Sequence, residues 1–254
     1  MSTNVVWPFA VVLAISVVFS MFGKGGGSLY TPVLVLMGLA VGSAISTALF
    51  LNLVTALVAT IIFARNRLVD FKFSSIFLPG TIVGSLLGAV LGSRAPGDFL
   101  LGLFAAFLLF AGILMVRSTS GETSGGTRRQ TRAVIVVVVA FSFAVGVLSS
   151  LLGVGGGLLI FPFLVLYLRY QAQKAAGANA YIVTVSSLVG SLGHLSFGPI
   201  DYRLIGVTAL AAVIGSAIGS QVTVKASPHF VKIGFAFILW FFSVEIVLHL
   251  LKVV

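Results

Sequence analysis

Long stretches of this sequence contain no Asp, Glu, Lys or Arg, among them residues 25–64, 73–93, 99–116, 133–168, 175–200 and 204–224. Each is about 18 residues or longer, enough to cross the hydrocarbon core of a bilayer as a helix. Backbone groups inside lipid must bond within the protein, which leaves helices or a closed barrel. A barrel strand alternates polar and apolar side chains, and these runs do not alternate. The chain therefore reads as an all-α polytopic membrane protein.

Composition closes off the other classes. Of the 254 residues, 59% are hydrophobic and 8% charged, whereas a soluble domain carries about a quarter charged residues. The net charge of +10 invites a nucleic-acid partner. The basic residues are spread over short loops between apolar spans, however, where membrane topology accounts for them, so no nucleic acid is expected. Cysteine is absent, which excludes disulfides and thiolate metal ligands. No HExxH, Walker A or GxSxG motif is present, and there are only 5 carboxylates. An enzyme, a cofactor and a metal site are all unexpected. The first apolar span, residues 5–22, has no basic leader and no small-residue cleavage pattern, so it reads as a retained helix.

The sequence is written twice. "FGKGGGSLYTPVLVL" at residues 22–36 lies over "LGVGGGLLIFPFLVL" at residues 152–166, with 9 of 15 positions identical, every glycine and the proline among them. Further on, "DFKFSSIFLPGTIVGSLLG" from Asp70 matches "DYRLIGVTALAAVIGSAIG" from Asp201. The offsets are 130 and 131 residues, and two blocks in one order at nearly one spacing indicate duplication. We read residues 1–117 as the first repeat and 133–254 as the second. Residues 118–132, rich in Gly, Ser and Thr, form a cytoplasmic linker.

Loop charge orients the halves. Arg65, Arg67 and Lys72 face Asp70 in one loop, and Arg117, Arg128, Arg129 and Arg132 mark the linker. Two spans separate these loops, so both can be cytoplasmic. In the second half the bias moves to Arg169, Lys174, Lys225 and Lys232, while the loop holding Asp201 and Arg203 is balanced. The two halves then have opposite orientations, which requires an odd number of crossings in each. Three plain spans per half, in the first roughly residues 44–64, 73–92 and 99–116, satisfy that parity. Residues 5–38, with the glycines in the middle, are too long for one perpendicular helix and short for two full ones. A bent, glycine-tipped hairpin fits. The expected fold is two inverted repeats, each such a hairpin plus three transmembrane helices, giving about eight to ten membrane helices. The competing topology makes each glycine block a break in one crossing helix, with parallel repeats.

A run of glycines exposes backbone polar groups, tolerated at membrane depth only where protein or a water-filled cavity surrounds them. The first turn of the helix that follows has free N–H donors and the positive end of the helix dipole. Together they make an anion site. The candidate substrate-binding residues are Gly23, Lys24, Gly25, Gly26, Gly27 and Ser28 in the first block, and Gly153, Gly155, Gly156, Gly157 and Leu158 in the second. An anion between the two tips would satisfy Lys24 and both helix ends; Val154 replaces the lysine in the second. The competing reading of Lys24 is a surface lysine snorkelling from the tip. Asn52 and Asn179, in the helices after the hairpins, are candidate cavity-lining groups because buried amides are costly. Ser46, Thr47, Thr184, Ser186 and Ser187 lie near them, but hydroxyls in apolar helices commonly bond their own backbone. His194 and Glu245 read as interfacial in preference to coupling groups. The GSxxG elements at Gly84 and Gly215 read as helix-packing seams.

Paired GxGGG blocks, each followed by "P-x-L-V-L" and duplicated around a polar linker, resemble the sulfite exporter TauE/SafE family, also called the toluene-sulfonate uptake permease family. The resemblance covers nearly all of the chain and is most specific at Gly23, Gly25 to Gly27, Pro32, Gly153, Gly155 to Gly157 and Pro162. It implies a secondary transporter for small sulfur-containing anions (sulfite, thiosulfate or organosulfonates) in a bacterial inner membrane. Its partners would be the lipid bilayer and the anion, with a homodimer open to it. An anion channel of the same build, or a carrier of non-sulfur organic anions, is the alternative.

Overall fold

The computed structural model describes residues 6–39, 41–91, 97–117, 132–152, 157–194 and 202–250. Among them there are helices and short connections and no strand. The first glycine block breaks the chain as expected. Before it runs α1 (Val6–Ser20), and after it α2 (Gly27–Leu36). At 15 and 10 residues they are about 22 and 15 Å long, each shorter than the bilayer core. Three longer segments follow: α3 (Val41–Arg65), the one-turn α4 (Phe71–Ser74) leading into α5 (Phe77–Leu91), and α6 (Gly97–Arg117). Asp70 starts α4 as its N-cap, its carboxylate accepting from the Phe73 amide at 3.0 Å.

The second half has the same order. It runs through α7 (Arg132–Leu152), α8 (Gly157–Pro162), α9 (Ala172–His194), α10 (Tyr202–Lys225) and α11 (Pro228–Leu250). After Pro162, α8 widens into a π-helical turn, Phe163–Tyr167. Proline supplies no amide to the helical ladder, and a π turn is one way a helix absorbs such a break. The linker at residues 118–131 and the second glycine run at residues 153–156 lie outside the described residues.

The compact units are not the sequence halves. One unit comprises Met1–Ser75 with Ala176–Lys225, the other Ile76–Ala175 with Ala226–Val254. In the first, α1 lies along α10 and α2 along α3, with α10 also against α3. The two arms of the glycine break thus find different neighbours. The α1–α10 seam is made by small residues. A Cβ on Gly215 would sit 2.6 Å from the Leu13 carbonyl oxygen, and one on Gly219 would strike the Val17 carbonyl. Hydroxyls of α10 add further ties: Ser216 Oγ donates to the Thr55 carbonyl of α3 at 2.6 Å, and Thr223 Oγ1 to the Met21 carbonyl just past α1 at 2.7 Å.

In the second unit α5 lies along α7, and α6 along α11. The α5–α7 seam again uses a glycine of the repeated GSxxG element: Gly84 packs on the Phe143 carbonyl, and from α7 a Cβ on Gly146 would come 2.5 Å from the Thr81 carbonyl. The fourth long helix of each half therefore packs on the first helix of the other half, through equivalent glycines. Aromatic rings fill the rest. Phe163 stacks on Phe141 at 3.9 Å between centroids, and Phe161 tilts against Phe235 at 4.2 Å.

The outer surface is that of a lipid-exposed protein. Phe110, Phe237 and Phe241 are 60%, 62% and 61% exposed, while Ser16, Thr55, Asn179 and Ser220 are buried. Large apolar side chains spread over the outside are expected for a protein whose solvent is hydrocarbon.

Candidate functional site

The site is the first glycine block, and its shape begins with how α1 stops. The Lys24 amide donates to the Phe19 carbonyl at 3.2 Å and the Gly23 amide to the Ser20 carbonyl at 3.0 Å. This pair of bonds is a Schellman closure with Gly23 in the left-handed position, φ +63°. Gly23 is needed for a second reason: a Cβ there would collide with the Ala176 carbonyl and lie 2.8 Å from the Ala180 nitrogen of α9. Gly25 is also left-handed, φ +68°, and its missing side chain leaves room for the Asn52 amide.

Two asparagines hold the two ends of this loop. Asn179 Nδ2 of α9 donates to the Phe22 carbonyl at 3.0 Å, where α1 ends. Asn52 Oδ1 of α3 accepts from the Gly27 amide at 2.9 Å, where α2 begins. The Asn52 Nδ2 donates onward to Ser187 Oγ of α9 at 2.6 Å. Both asparagines were candidates from sequence, as cavity-lining groups. Their side chains bond the loop backbone, and Asn52 takes one of the helix-start amides that the sequence assigned to an anion.

Lys24 lies within the unit and does not snorkel. Its side chain is 2% exposed, its Nζ donates to Ser28 Oγ at 2.5 Å, and it stands 4.6 Å from the centre of the Phe19 ring. A buried ammonium over an aromatic face is held in part by cation–π attraction. None of the described residues accepts from the backbone amides of Gly25, Gly26 or Ser28. Gly25 and Gly26 are themselves buried. The loop therefore gathers a buried cation, a hydroxyl and three amide donors, a set that suits a negative charge.

Tyr30 was not a candidate and belongs beside it. Fully buried on α2, its hydroxyl meets Ser16 Oγ of α1 at 2.7 Å and Thr55 Oγ1 of α3 at 2.8 Å. The signal was in the repeat: the aligned residue in the second half is Ile160, so the first half alone carries a hydroxyl here. Thr60 and Thr184 also meet, at 2.9 Å between α3 and α9. Each additionally bonds its own helix carbonyl, of Ala56 and Ala180.

Of the second block, Gly157 and Leu158 begin α8 and are buried. Gly153, Gly155 and Gly156 lie outside the described residues, as do the side chains of His194 and Glu245. Among the described residues no group of His, Cys, Asp and Glu could hold a metal ion.

The chain resembles known proteins along most of its length. The chain is 25% identical over 224 residues to the probable membrane transporter protein YunE of Bacillus subtilis, covering 80% of this chain and 81% of that protein. It is 23% identical over 235 residues to a probable membrane transporter protein of Methanocaldococcus jannaschii, covering 86% of each. No solved structure matches it significantly. The model of the family described as sulfite exporter TauE/SafE matches residues 8–246. A match over so much of the chain decides the matter: this multi-pass membrane transporter belongs to the sulfite exporter TauE/SafE family.

Proposed function

We propose that this protein is a secondary transporter of small sulfur-containing anions in a bacterial inner membrane, and that the loop from Gly23 to Ser28 is its anion seat. One observation carries the reading: Lys24 is 2% exposed and lies on the same loop as the amides of Gly25, Gly26 and Ser28, from which none of the described residues accepts. A buried cationic side chain beside backbone amide donors favours a negative charge, which a carrier of anions must bind and release. The family description supports the choice of sulfur anions. Broken helices in internally repeated transporters bind their substrates at such helix starts.

The two halves are a duplicated unit in this reading. The reciprocal packing of α1 on α10 and of α7 on α5 supports it, and the loop charges support opposite orientations in the membrane. The test is sulfite binding to the purified protein, wild type against Lys24→Ala. Loss of binding by a variant that keeps its melting temperature is the expected result. Unchanged affinity would remove Lys24 from the seat.

A further inference from the structure

Helix α9 is held in the first unit in two different ways along its length. Residues 176–180 are all buried. Gly23 packs on the Ala176 carbonyl and beside the Ala180 nitrogen, and a Cβ on Gly177 would come 2.5 Å from the Leu68 carbonyl oxygen. Asn179 donates to the Phe22 carbonyl, and the Tyr181 ring meets Phe71 edge to face at 5.1 Å. From Thr184 onward the helix meets α3 through side chains. Thr184 Oγ1 lies 2.9 Å from Thr60 Oγ1, and Ser187 Oγ accepts from Asn52 Nδ2 at 2.6 Å. Leu188 and Val189, just beyond, are exposed. The seams of α1 on α10 and of α5 on α7, by contrast, bring backbone against backbone at glycines.

The threonine contact can part without stranding a donor. Each hydroxyl has one proton, and each already reaches its own helix carbonyl, Thr60 that of Ala56 and Thr184 that of Ala180, both at 2.8 Å. Three contacts thus share two protons, and separating the threonines leaves both protons placed. Asn52 would keep its bond to the Gly27 amide, while its Nδ2 would line the opening together with Ser187, Thr60 and Thr184. Such a gap is polar and can hydrate, as a passage for a water-soluble solute must. Interhelical side-chain bonds inside membranes are individually weak, so these two latch the helix without locking it. We infer that the half of α9 from Thr184 onward is a gate of the transport cycle. It turns about the packed stretch at residues 176–181 and parts from α3 at Thr60–Thr184 and Asn52–Ser187, a hinge motion. The inference rests on the transporter reading above and goes beyond it by naming the element that moves.

The chain has no cysteine, so introduced thiols report without interference. The Thr60→Cys/Thr184→Cys double variant is reconstituted in proteoliposomes, and uptake of methanesulfonate, which unlike sulfite does not cleave disulfides, is measured before oxidation, after it and after reduction. Oxidation is expected to slow uptake about tenfold or more, and reduction to restore it. A bridged protein that carries methanesulfonate as fast as the reduced one overturns the gate. A second measurement needs no substrate: labelling of single thiols by a water-soluble maleimide. Thr60→Cys is expected to react about tenfold or more faster than Thr81→Cys, since Thr81 is a similarly buried threonine that also bonds its own helix, but on α5. Equal labelling rates overturn the gate as well. If the wild type takes up no methanesulfonate, the choice of a sulfonate as substrate falls, and the labelling ratio decides the gate. The same ratio decides if the two thiols do not pair.

Discussion

Asn52 and Ser187 meet side chain to side chain at 2.6 Å, and the other end of the Asn52 amide accepts from the Gly27 backbone at 2.9 Å. One residue of α3 thereby ties the start of α2 to α9. Asn52→Ala would strip the partner from the Gly27 amide and from the buried Ser187 hydroxyl. Each loss costs about 1–3 kcal/mol, so the melting midpoint should fall by roughly 5 °C or more. Asn52→Asp keeps an acceptor for Gly27 but sets a carboxylate beside the donors of the seat. It should weaken anion binding more than it lowers the midpoint. A variant that binds anions as the wild type does would show that Asn52 lies too far from the ligand to matter.

Gly23 and Gly38 separate backbone strain from close packing. Both are left-handed, at φ +63° and +90°, yet a Cβ on Gly38 would meet nothing within 4 Å. Alanine at Gly38 should cost only the strain, about 1–2 kcal/mol. Alanine at Gly23 should cost more, because it strikes the backbone of α9. Equal midpoints for the two variants would refute the close approach of the loop to α9.

Two glycines of α10 should respond with opposite signs. A Cβ on Gly206 would point into open space, so Gly206→Ala should stabilise the helix by about 0.5–1 kcal/mol. A Cβ on Gly215 would lie 2.6 Å from the Leu13 carbonyl and 2.7 Å from the Ser16 Cβ. Gly215→Ala should destabilise by about 1–3 kcal/mol through overpacking. Thermal unfolding of the two purified variants checks both signs at once.

Tyr30 tests what the hydroxyl cluster contributes. Ser16 and Thr55 also bond the Val12 and Leu51 carbonyls of their own helices at 2.6 and 2.8 Å. Tyr30→Phe therefore leaves no donor stranded and should cost only about 1 kcal/mol. Tyr30→Ala opens a cavity in the core and should cost about 3–5 kcal/mol. A large loss from Tyr30→Phe, matching that from alanine, would mean that the hydroxyl and not the ring holds α2 in place.

Carrier and channel differ in their kinetics. Methanesulfonate entry into proteoliposomes should saturate with concentration, because each cycle requires the seat to be occupied and released. Large single-channel currents across a planar bilayer would instead establish a pore.

The helices and their breaks were legible because they are local. An uncharged apolar run must satisfy its own backbone, so α3, α6 and α10 lie where the absence of charge put them. Gly23 to Gly27 interrupts the helix for the same reason, and the GSxxG repeats form seams because only glycine lets two backbones approach so closely. Asn52 and Asn179 were recognised as polar groups too costly to face lipid, but their task was not legible. Each holds the same loop, from α3 and from α9. Tyr30 was missed because an apolar helix with one tyrosine looks like any other.

Sequence alone determined the class of this protein, its helical segments, the recurrence of two blocks of its text and the family motif at the glycines. All of these follow from residues close along the chain or from direct repetition of its text. Tertiary structure decided which helices pair, since the compact units draw on both halves. It also decided that Lys24 is buried against Phe19 and Ser28, and that the loop around it is clamped by asparagines. The Asn179 bond to Phe22 joins residues 157 positions apart. A contact at that separation is set by how helices dock, which hydropathy does not encode.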